Sequence, residues 1–169
     1  MSASPFDSLI HARLFGDADL GRLFSDTAEI RAMMLVLGAL AQVQGQAGVI
    51  PAASGAFLHR AAMEIQIDPA GLAQSVGENG VSVPGLVAAM RKALEAPEHA
   101  AYLHWGATSQ DIQDSAVMLR ARQALAVIAA RLQMALVKFA DLAEAEAETP
   151  MAARSYGQIA VPSSFGALV

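Results

Sequence analysis

The chain has 169 residues, a formal net charge of −5 at pH 7 and no cysteine. This length suits one domain with a sizeable core, and the lack of cysteine excludes disulfides, thiolate zinc sites and thiol nucleophiles. Acidic and basic residues are scattered along the chain, which argues against a nucleic-acid partner.

The N-terminal stretch MSASPFDSLIHARLFGD lacks the basic region and following apolar region of a secretory signal. The longest apolar run, residues 32–41, is too short to span a bilayer. We therefore expect a cytoplasmic protein with no membrane partner.

The composition is unusually apolar for a helical protein. Hydrophobic residues make up 54% of the chain and charged residues only 16%, below the roughly 25% of an average soluble domain. The chain also ends within the apolar stretch FGALV. Because so apolar a surface needs a covering partner, we expect the N-terminal part of a longer, oligomeric chain.

Helical spacing dominates the first hundred residues after a loop-like start. A capping signal places Asp26 at the N-cap with Glu29 three residues later. Apolar residues then recur at three-four spacing from Ile30 until Gly48 closes the helix. Further helices are predicted over residues 53–65, from the cap Asp68 with Pro69 at the first helical position, and over residues 81–94. No stretch alternates like a strand, so the predicted fold class is all-α.

Residues 111–149 include neither glycine nor proline and predict a helix approaching 60 Å, at about 1.5 Å per residue. Helices this long usually belong to bundles. An apolar stripe follows it at Ile112, Leu119, Ala126, Ala130, Met134 and Val137. After Pro150 we expect a loop and then another helix. The chain thus divides into an N-terminal helical domain, 1–105, and the start of a central long-helix bundle, 106–169.

The entrance to this helix, HWGATSQDIQDS at residues 104–115, is rich in uncharged hydrogen-bonding groups. Thr108 or Ser109 can cap the helix, with Asp111 completing a capping-box-like arrangement three residues beyond Thr108. A cap alone would explain these residues. The free N–H groups and the positive dipole end also suit an anion such as a carboxylate, and His104 could add a donor.

Together with RSYGQIAVPSSFG at residues 154–166, this entrance resembles the fumarase/aspartase superfamily. The superfamily signature G-x-T-S-x-D-x-x-D-[ST] is matched by Gly106, Thr108, Ser109, Asp111, Asp114 and Ser115. The signature R-T-H-x-Q-x-A-x-P-x-T-x-G is matched by Arg154, Gln158, Ala160, Pro162 and Gly166, with serine for threonine at Ser155 and Ser164. The resemblance covers essentially the whole chain.

One residue departs from the second signature, since Tyr156 stands where most of the superfamily has histidine. The bacterial 3-carboxy-cis,cis-muconate lactonizing enzymes form the branch that lacks this histidine. The stretch SPFDSLI, and Asn79 ahead of Val83 and Pro84, are also similar to that branch. The resemblance implies a cycloisomerase that converts 3-carboxy-cis,cis-muconate to a carboxymuconolactone in aromatic (protocatechuate/β-ketoadipate) catabolism.

The same resemblance implies the chemistry of the site. A carbanion-like intermediate forms beside a substrate carboxylate, without a metal or an organic cofactor, and Thr108 and Ser109 are expected to bind that carboxylate. The other residues expected to bind a di- or tricarboxylate substrate are Gln158, Arg154, His104 and Asn79. The resemblance also implies a homotetramer whose active sites are shared between subunits.

Ser155 and Tyr156 are the catalytic candidates in the chain. Ser155 can supply a hydroxyl, whereas a phenol is a poor base at neutral pH, so we expect Tyr156 to pack or to hydrogen-bond substrate. Gln158 could instead order its loop, and Arg154 could form a structural ion pair. The main base is expected on a serine-containing loop C-terminal to Val169, so we expect the chain ending there not to catalyse lactonization alone.

The sequence leaves three alternatives open. One is a lyase of the adenylosuccinate or argininosuccinate type, although those chemistries use the histidine that Tyr156 replaces. Another is a cycloisomerase for a differently substituted muconate. The third is a non-catalytic helical scaffold, against which the hydroxyls and the amide at the signature spacings count.

Overall fold

The computed structural model describes residues 4–6 and 8–169; residues 1–3 and residue 7, which belongs to the SPFDSLI stretch, lie outside the described part. Helices dominate, and the predicted all-α class is confirmed. The chain forms two compact units, one up to Ala124 and one from Leu125 to Val169. This boundary falls inside the longest helix, while the expected domain boundary after residue 105 stays a prediction.

Two short helices occupy the segment that the sequence predicts as a loop-like start, α1 (Ala12–Phe15) and α2 (Ala18–Leu23). Asp17 caps α2, because its carboxylate accepts the N–H groups of Asp19 and Leu20 at 3.0 Å each. The expectation of a loop is therefore wrong for these residues, where a local cap supports helices too short to show a clear apolar period.

The next two helices, α3 (Asp26–Gln46) and α4 (Ala52–Glu64), confirm the helices predicted there. The N-cap of α3 is Ser25, whose hydroxyl accepts the N–H of Ala28 at 3.3 Å, so the predicted cap at Asp26 is one residue late. Asp26 instead begins the first turn, where its charge faces the positive end of the helix dipole.

Helices α3 and α4 are joined by a close approach of their backbones and by two hydrogen bonds from one arginine. A Cβ on Gly55 would lie 2.6 Å from the carbonyl oxygen of Ala41, so only glycine allows this backbone separation. Arg31 on α3 donates to the carbonyls of Ala62 and Met63, both at 2.7 Å. Since the last carbonyls of a helix lack intrahelical partners, these two hydrogen bonds cap α4 and fix it to α3.

A 3₁₀ turn at Pro69–Leu72 leads into α5 (Ala73–Asn79), α6 (Val83–Leu94) and the unpredicted α7 (Pro97–Ala100). Asp68 accepts the N–H of Ala70 at 3.1 Å, which confirms the predicted cap. The core lies between the apolar faces of α3, α4 and α6, and the turn after α7 also packs into it. Its large fully buried side chains include Met33, Met34, Leu37, Leu58, Leu86, Met90, Leu103 and Ile112.

The longest helix, α8 (Ser109–Ala145), has 37 residues and spans about 55 Å. Its buried residues follow a spacing of four at Ile112, Ala116, Arg120 and Ala124. Of the apolar stripe predicted from the sequence, Ile112 is buried and Leu119 half-buried, but the members from Ala126 onward are exposed in this chain. The face of α8 that packs in the first unit therefore consists of an isoleucine, two alanines and an arginine.

The segment after α8 is a β-hairpin rather than the predicted loop. Strands β1 (Pro150–Met151) and β4 (Ser163–Ser164) pair antiparallel, as do β2 (Arg154–Ser155) and β3 (Gln158–Ile159). Residues 166–168 form a turn, and the helix expected after the loop stays a prediction. None of the helices in the described part of the chain combines the length and apolarity that a membrane span requires.

Candidate active site

The first signature begins on the turn that joins α7 to α8, over residues 101–108, and continues into α8 from Ser109. Leu103 is fully buried and anchors this turn in the core. His104 and Gly106 both have left-handed backbones, with φ of 64° and 70°. Glycine adopts this conformation freely, but histidine does so at a cost that the surrounding contacts must offset.

Side chains from two other helices hold the backbone of this turn. Arg91 on α6 donates from Nε to the carbonyl of Ala100 at 3.2 Å and from Nη2 to that of Leu103 at 3.0 Å. Gln44 on α3 donates from Nε2 to the carbonyl of Trp105 at 2.7 Å. Arg91 and Gln44 were not predicted as determinants of the site, and for Gln44 no local signal in the sequence could reveal a contact across 61 residues.

The start of α8 carries the groups expected to bind a carboxylate. The backbone N–H of Thr108 donates to Oδ2 of Asp111 at 2.9 Å, which confirms the predicted capping-box-like contact. Thr108 is exposed and Ser109 half-buried, so both stay near solvent. The first four N–H groups of a helix have no intrahelical acceptor and lie at its positive end, which makes this turn a suitable anion site.

His104 adds a second polar feature to the same turn. Its Nε2 atom is buried and has no hydrogen-bond partner among the described residues, and the same holds for Oε1 of Gln44. A buried polar atom without a partner costs free energy. The Nε2 atom of His104 therefore lacks a partner, which a ligand that reaches it would supply by accepting from one tautomer or donating to the other.

Residues 154–159 of the second signature form the tip of the hairpin and are exposed. Tyr156 and Gly157 make the two-residue turn, with φ of 49° and 77°, the pattern of a type I′ turn. Tyr156 is fully exposed, and Ser155 and Gln158 are exposed as well. Arg154 is also exposed and donates to the carbonyl of Gly157 at a long 3.4 Å.

Gly166 of the second signature has a packing role. Its N–H donates to the carbonyl of Glu146 at 2.9 Å, and a Cβ at this position would lie 2.8 Å from the Cα of Ala147. Glycine is therefore required where the hairpin returns against the end of α8.

Asn79, the remaining substrate-binding candidate, is the last residue of α5. Its Nδ2 donates to the carbonyl of Ser75 at 2.9 Å and to the hydroxyl of Ser75 at 3.2 Å. The amide thus supports the end of its own helix, which Gly80 closes with a left-handed backbone. A role in binding substrate stays a prediction for Asn79.

A cleft of about 900 Å³ lies beside α3 and α5, but it contains none of the candidate site residues. Its polar lining includes the carboxylates of Asp26, Glu29 and Asp68. These acidic groups disfavour an anionic ligand. Among the described residues no group of three metal-ligating side chains comes together, and whether the reaction needs a metal or cofactor stays a prediction.

The structure brings His104, Thr108 and Ser109 together on one turn of the first unit. The second unit carries Arg154, Ser155, Tyr156 and Gln158 on the hairpin. Each unit is built by contacts of its own, and the joining of both groups into one site stays a prediction.

These observations define the class of protein. A family model described as a lyase matches residues 21–169, and both signature stretches lie within that range. The chain belongs to the lyases of the fumarase/aspartase superfamily, as its signatures predict.

Three individual relatives are similar to most of this chain. The 3-carboxy-cis,cis-muconate cycloisomerase of Pseudomonas aeruginosa is 37% identical over 168 residues, which cover 98% of this chain and 36% of the relative. The nitrosuccinate lyase of Streptomyces davaonensis is 38% identical over 144 residues, covering 84% of this chain and 30% of the relative. The solved structure of the β-carboxy-cis,cis-muconate cycloisomerase from Acinetobacter calcoaceticus matches with a TM-score of 0.83 and 35% identity, over 93% of this chain and 37% of that one. The chain spans about a third of the length of these relatives.

Proposed function

We propose that the complete protein is a cycloisomerase that closes 3-carboxy-cis,cis-muconate to a carboxymuconolactone. The observation that carries this proposal is the start of α8, where Thr108 and Ser109 lie on a turn anchored to α3 and α6. Cycloisomerases of this substrate are also among the relatives that cover nearly all of the chain.

Lactonization needs a place for developing negative charge. A carboxylate oxygen of the substrate adds to an alkene carbon, and the alkene electron pair moves into the carboxyl group on the neighbouring carbon. That carbon then takes a proton, so the substrate is isomerised and the attacking carboxylate becomes the ester of the lactone. The N–H groups and hydroxyls at the start of α8 are fixed dipoles that can stabilise the charged carboxyl group, and intramolecular attack lowers the entropic barrier.

The remaining candidates have roles suited to a tricarboxylate. His104 would donate from its buried Nε2 to a second carboxylate, while Arg154 and Gln158 on the hairpin would bind the far end of the substrate. Ser155 would offer a hydroxyl and Tyr156 a hydrogen bond. We expect the main base on a serine-containing loop beyond Val169, and sites completed by neighbouring subunits of a homotetramer.

A second candidate function is elimination of an anionic group from a substituted succinate. The relative that favours it is the nitrosuccinate lyase, which is 38% identical over 84% of the chain. Elimination also develops charge on a carboxyl group, so the start of α8 could serve either reaction. The two functions differ in substrate, and activity of the full-length protein on 3-carboxymuconate or on nitrosuccinate separates them.

The experiment compares the full-length protein with a Thr108→Ala, Ser109→Ala double variant, following the loss of diene absorbance of 3-carboxymuconate. Removing one such donor typically costs about 100-fold or more in rate, so we expect kcat/KM to fall at least about 100-fold while the helical circular dichroism is kept. Thr27→Ala is the matched control, since Thr27 is an exposed hydroxyl in the first turn of α3.

Activity of the double variant within a few-fold of the parent would contradict the assigned carboxylate site. The chain ending at Val169 forms a further arm of the same assay, in which we expect no turnover. A parent that acts on nitrosuccinate alone favours the second candidate, and a parent without activity on either substrate favours a scaffold.

A further inference from the structure

Gln44 on α3 contacts the turn directly before the carboxylate-binding groups. We call residues 106–109, with the first N–H groups of α8, the cradle. The Nε2 atom of Gln44 donates to the carbonyl of Trp105 at 2.7 Å across 61 residues of sequence. A Cβ on Gly106 would lie 4.0 Å from the same Nε2 atom, so the amide of Gln44 faces the backbone at the edge of the cradle.

The bond acts where the backbone has the most freedom to turn. Trp105 stands between two residues with left-handed backbones, His104 and Gly106. The burial of Leu103 restrains the turn on one side, and the bond from the N–H of Thr108 to Asp111 restrains it on the other. The hydrogen bond from Gln44 fixes the peptide between Trp105 and Gly106, and therefore the direction from which the chain enters α8.

The amide is a costly choice if its role is stability alone. Its Oε1 atom is buried and has no hydrogen-bond partner among the described residues, so the side chain gains one hydrogen bond and loses the hydration of another polar atom. A methionine has nearly the same shape and avoids that desolvation. The benefit of the amide is therefore geometric.

We propose that Gln44 is a positioning residue for the cradle. It holds the Trp105 carbonyl and thereby aims the hydroxyls of Thr108 and Ser109 and the N–H of Ser109 toward the substrate carboxylate. This inference rests on the proposed function of the cradle, and it adds a residue of α3 that neither signature includes.

The test uses Gln44→Met and Gln44→Glu in the full-length protein, with Gln46→Met as the control. Gln46 is exposed and lies two residues further along α3. A small misplacement of catalytic groups can cost about 100-fold in rate, so we expect kcat/KM with 3-carboxymuconate to fall at least about tenfold in both Gln44 variants. The loss should lie in kcat with KM nearly unchanged, because the cradle acts on charge that develops in the transition state.

Two readouts separate positioning from a purely structural role. The Tm of Gln44→Met should stay close to that of the parent, because the variant loses a hydrogen bond but also removes the unpaired Oε1. Trp105 is the single tryptophan of the 169 residues, and its resonance in 5-fluorotryptophan-labelled protein can be assigned with Trp105→Phe. That resonance should shift in Gln44→Met and stay in place in Gln46→Met.

The outcomes distinguish this inference from the proposed function. Turnover by the parent with equal kcat/KM in Gln44→Met and Gln46→Met overturns the inference alone, as does unfolding of both Gln44 variants. A parent that neither binds nor turns over 3-carboxymuconate overturns both proposals. A parent that binds 3-carboxymuconate without turnover overturns the proposed function. In that case the inference is supported if Gln44→Met changes the response of the Trp105 resonance to 3-carboxymuconate and Gln46→Met does not. It is overturned if the two variants respond alike.

Discussion

The two signature stretches are held by different kinds of contact. The first is fixed by side chains of other helices, since Gln44 and Arg91 donate to the carbonyls of Leu103 and Trp105 in the turn before α8, and Arg91 also to that of Ala100 at the end of α7. The second is held by its own backbone ladder around the Tyr156–Gly157 turn, and its polar side chains are exposed. The geometry of the first stretch should therefore depend on the packing of α3, and that of residues 154–160 in the second on local turn conformation.

The largest effect that would test this difference comes from Gly55→Ala. The new Cβ would lie 2.6 Å from the carbonyl oxygen of Ala41, a backbone atom that can move only if α3 and α4 separate. We expect a loss of about 3 kcal/mol in the free energy of unfolding, at the upper end of the range for overpacked cores. Chemical denaturation followed by circular dichroism measures it.

Gly77→Ala is the matched control for that change, because nothing lies within 4 Å of a Cβ at Gly77 in α5. Alanine there should leave stability unchanged or raise it slightly. Equal stability of Gly55→Ala and Gly77→Ala would contradict the close packing of α3 on α4. It would also contradict the idea that the packing of α3 fixes the geometry of the first signature.

A smaller effect is expected from the ion pair that joins α8 to α3. Nη2 of Arg120 lies 3.3 Å from Oε2 of Glu29, and the arginine side chain is 8% exposed against 40% for the glutamate. Arg120 also lies 5.7 Å from the ring centroid of Phe24. Glu29→Gln leaves a buried guanidinium without its counter-charge, so we expect a loss of about 2 kcal/mol, less than for a fully buried pair because Glu29 is partly hydrated.

A double-mutant cycle with Arg120→Met identifies the pair as the cause. Once Glu29 is glutamine, replacing Arg120 should cost little more, because the replacement then removes a buried charge that has already lost its partner. Asp141→Asn is the control on the same helix, since its pair with Lys138 at 3.8 Å is exposed and should contribute less than about 0.5 kcal/mol. Additive losses in the cycle would show that Glu29 and Arg120 act independently.

The sequence predicted the helices with clear apolar periods and explicit caps, and it predicted the contact between Asp111 and Thr108. It failed where the determining contact is distant or the pattern is atypical. Arg120 lies on a buried face with Ile112 and Ala116, which a search for apolar residues alone does not reveal. The partners of the turn before α8 could not be predicted, because pairing Gln44 with Trp105 requires knowing how α3 packs.

The hairpin was missed for a local reason. Type I′ turns are usually recognised by Asn-Gly or Asp-Gly, whereas Tyr156 is a bulky residue with a φ of 49°. The short strands also lack enough residues to show alternation. The signature residues of this segment were identified by resemblance, and their placement in a common site with Thr108 stays a prediction.

The smallest effect is expected in this hairpin, from Gly157→Ala. Gly157 has a φ of 77°, and an L-residue held in that region costs about 1 kcal/mol. The N–H of Ala160 donates to the carbonyl of Ala153 at 2.9 Å next to the ladder, so its amide hydrogen exchange reports opening of the hairpin. We expect exchange of this amide to become about fivefold faster, while the amides of the α3 core keep their protection.

Tyr156→Asn makes the opposite test at the neighbouring position, because asparagine tolerates a left-handed backbone better than tyrosine. Exchange at Ala160 should then slow slightly, by about twofold. If Gly157→Ala instead lowered protection in α3 as strongly as at Ala160, the hairpin would be coupled to the helical core, and the two signatures would not be held independently. If neither variant changed exchange at Ala160, the left-handed turn would not be what holds the second signature together.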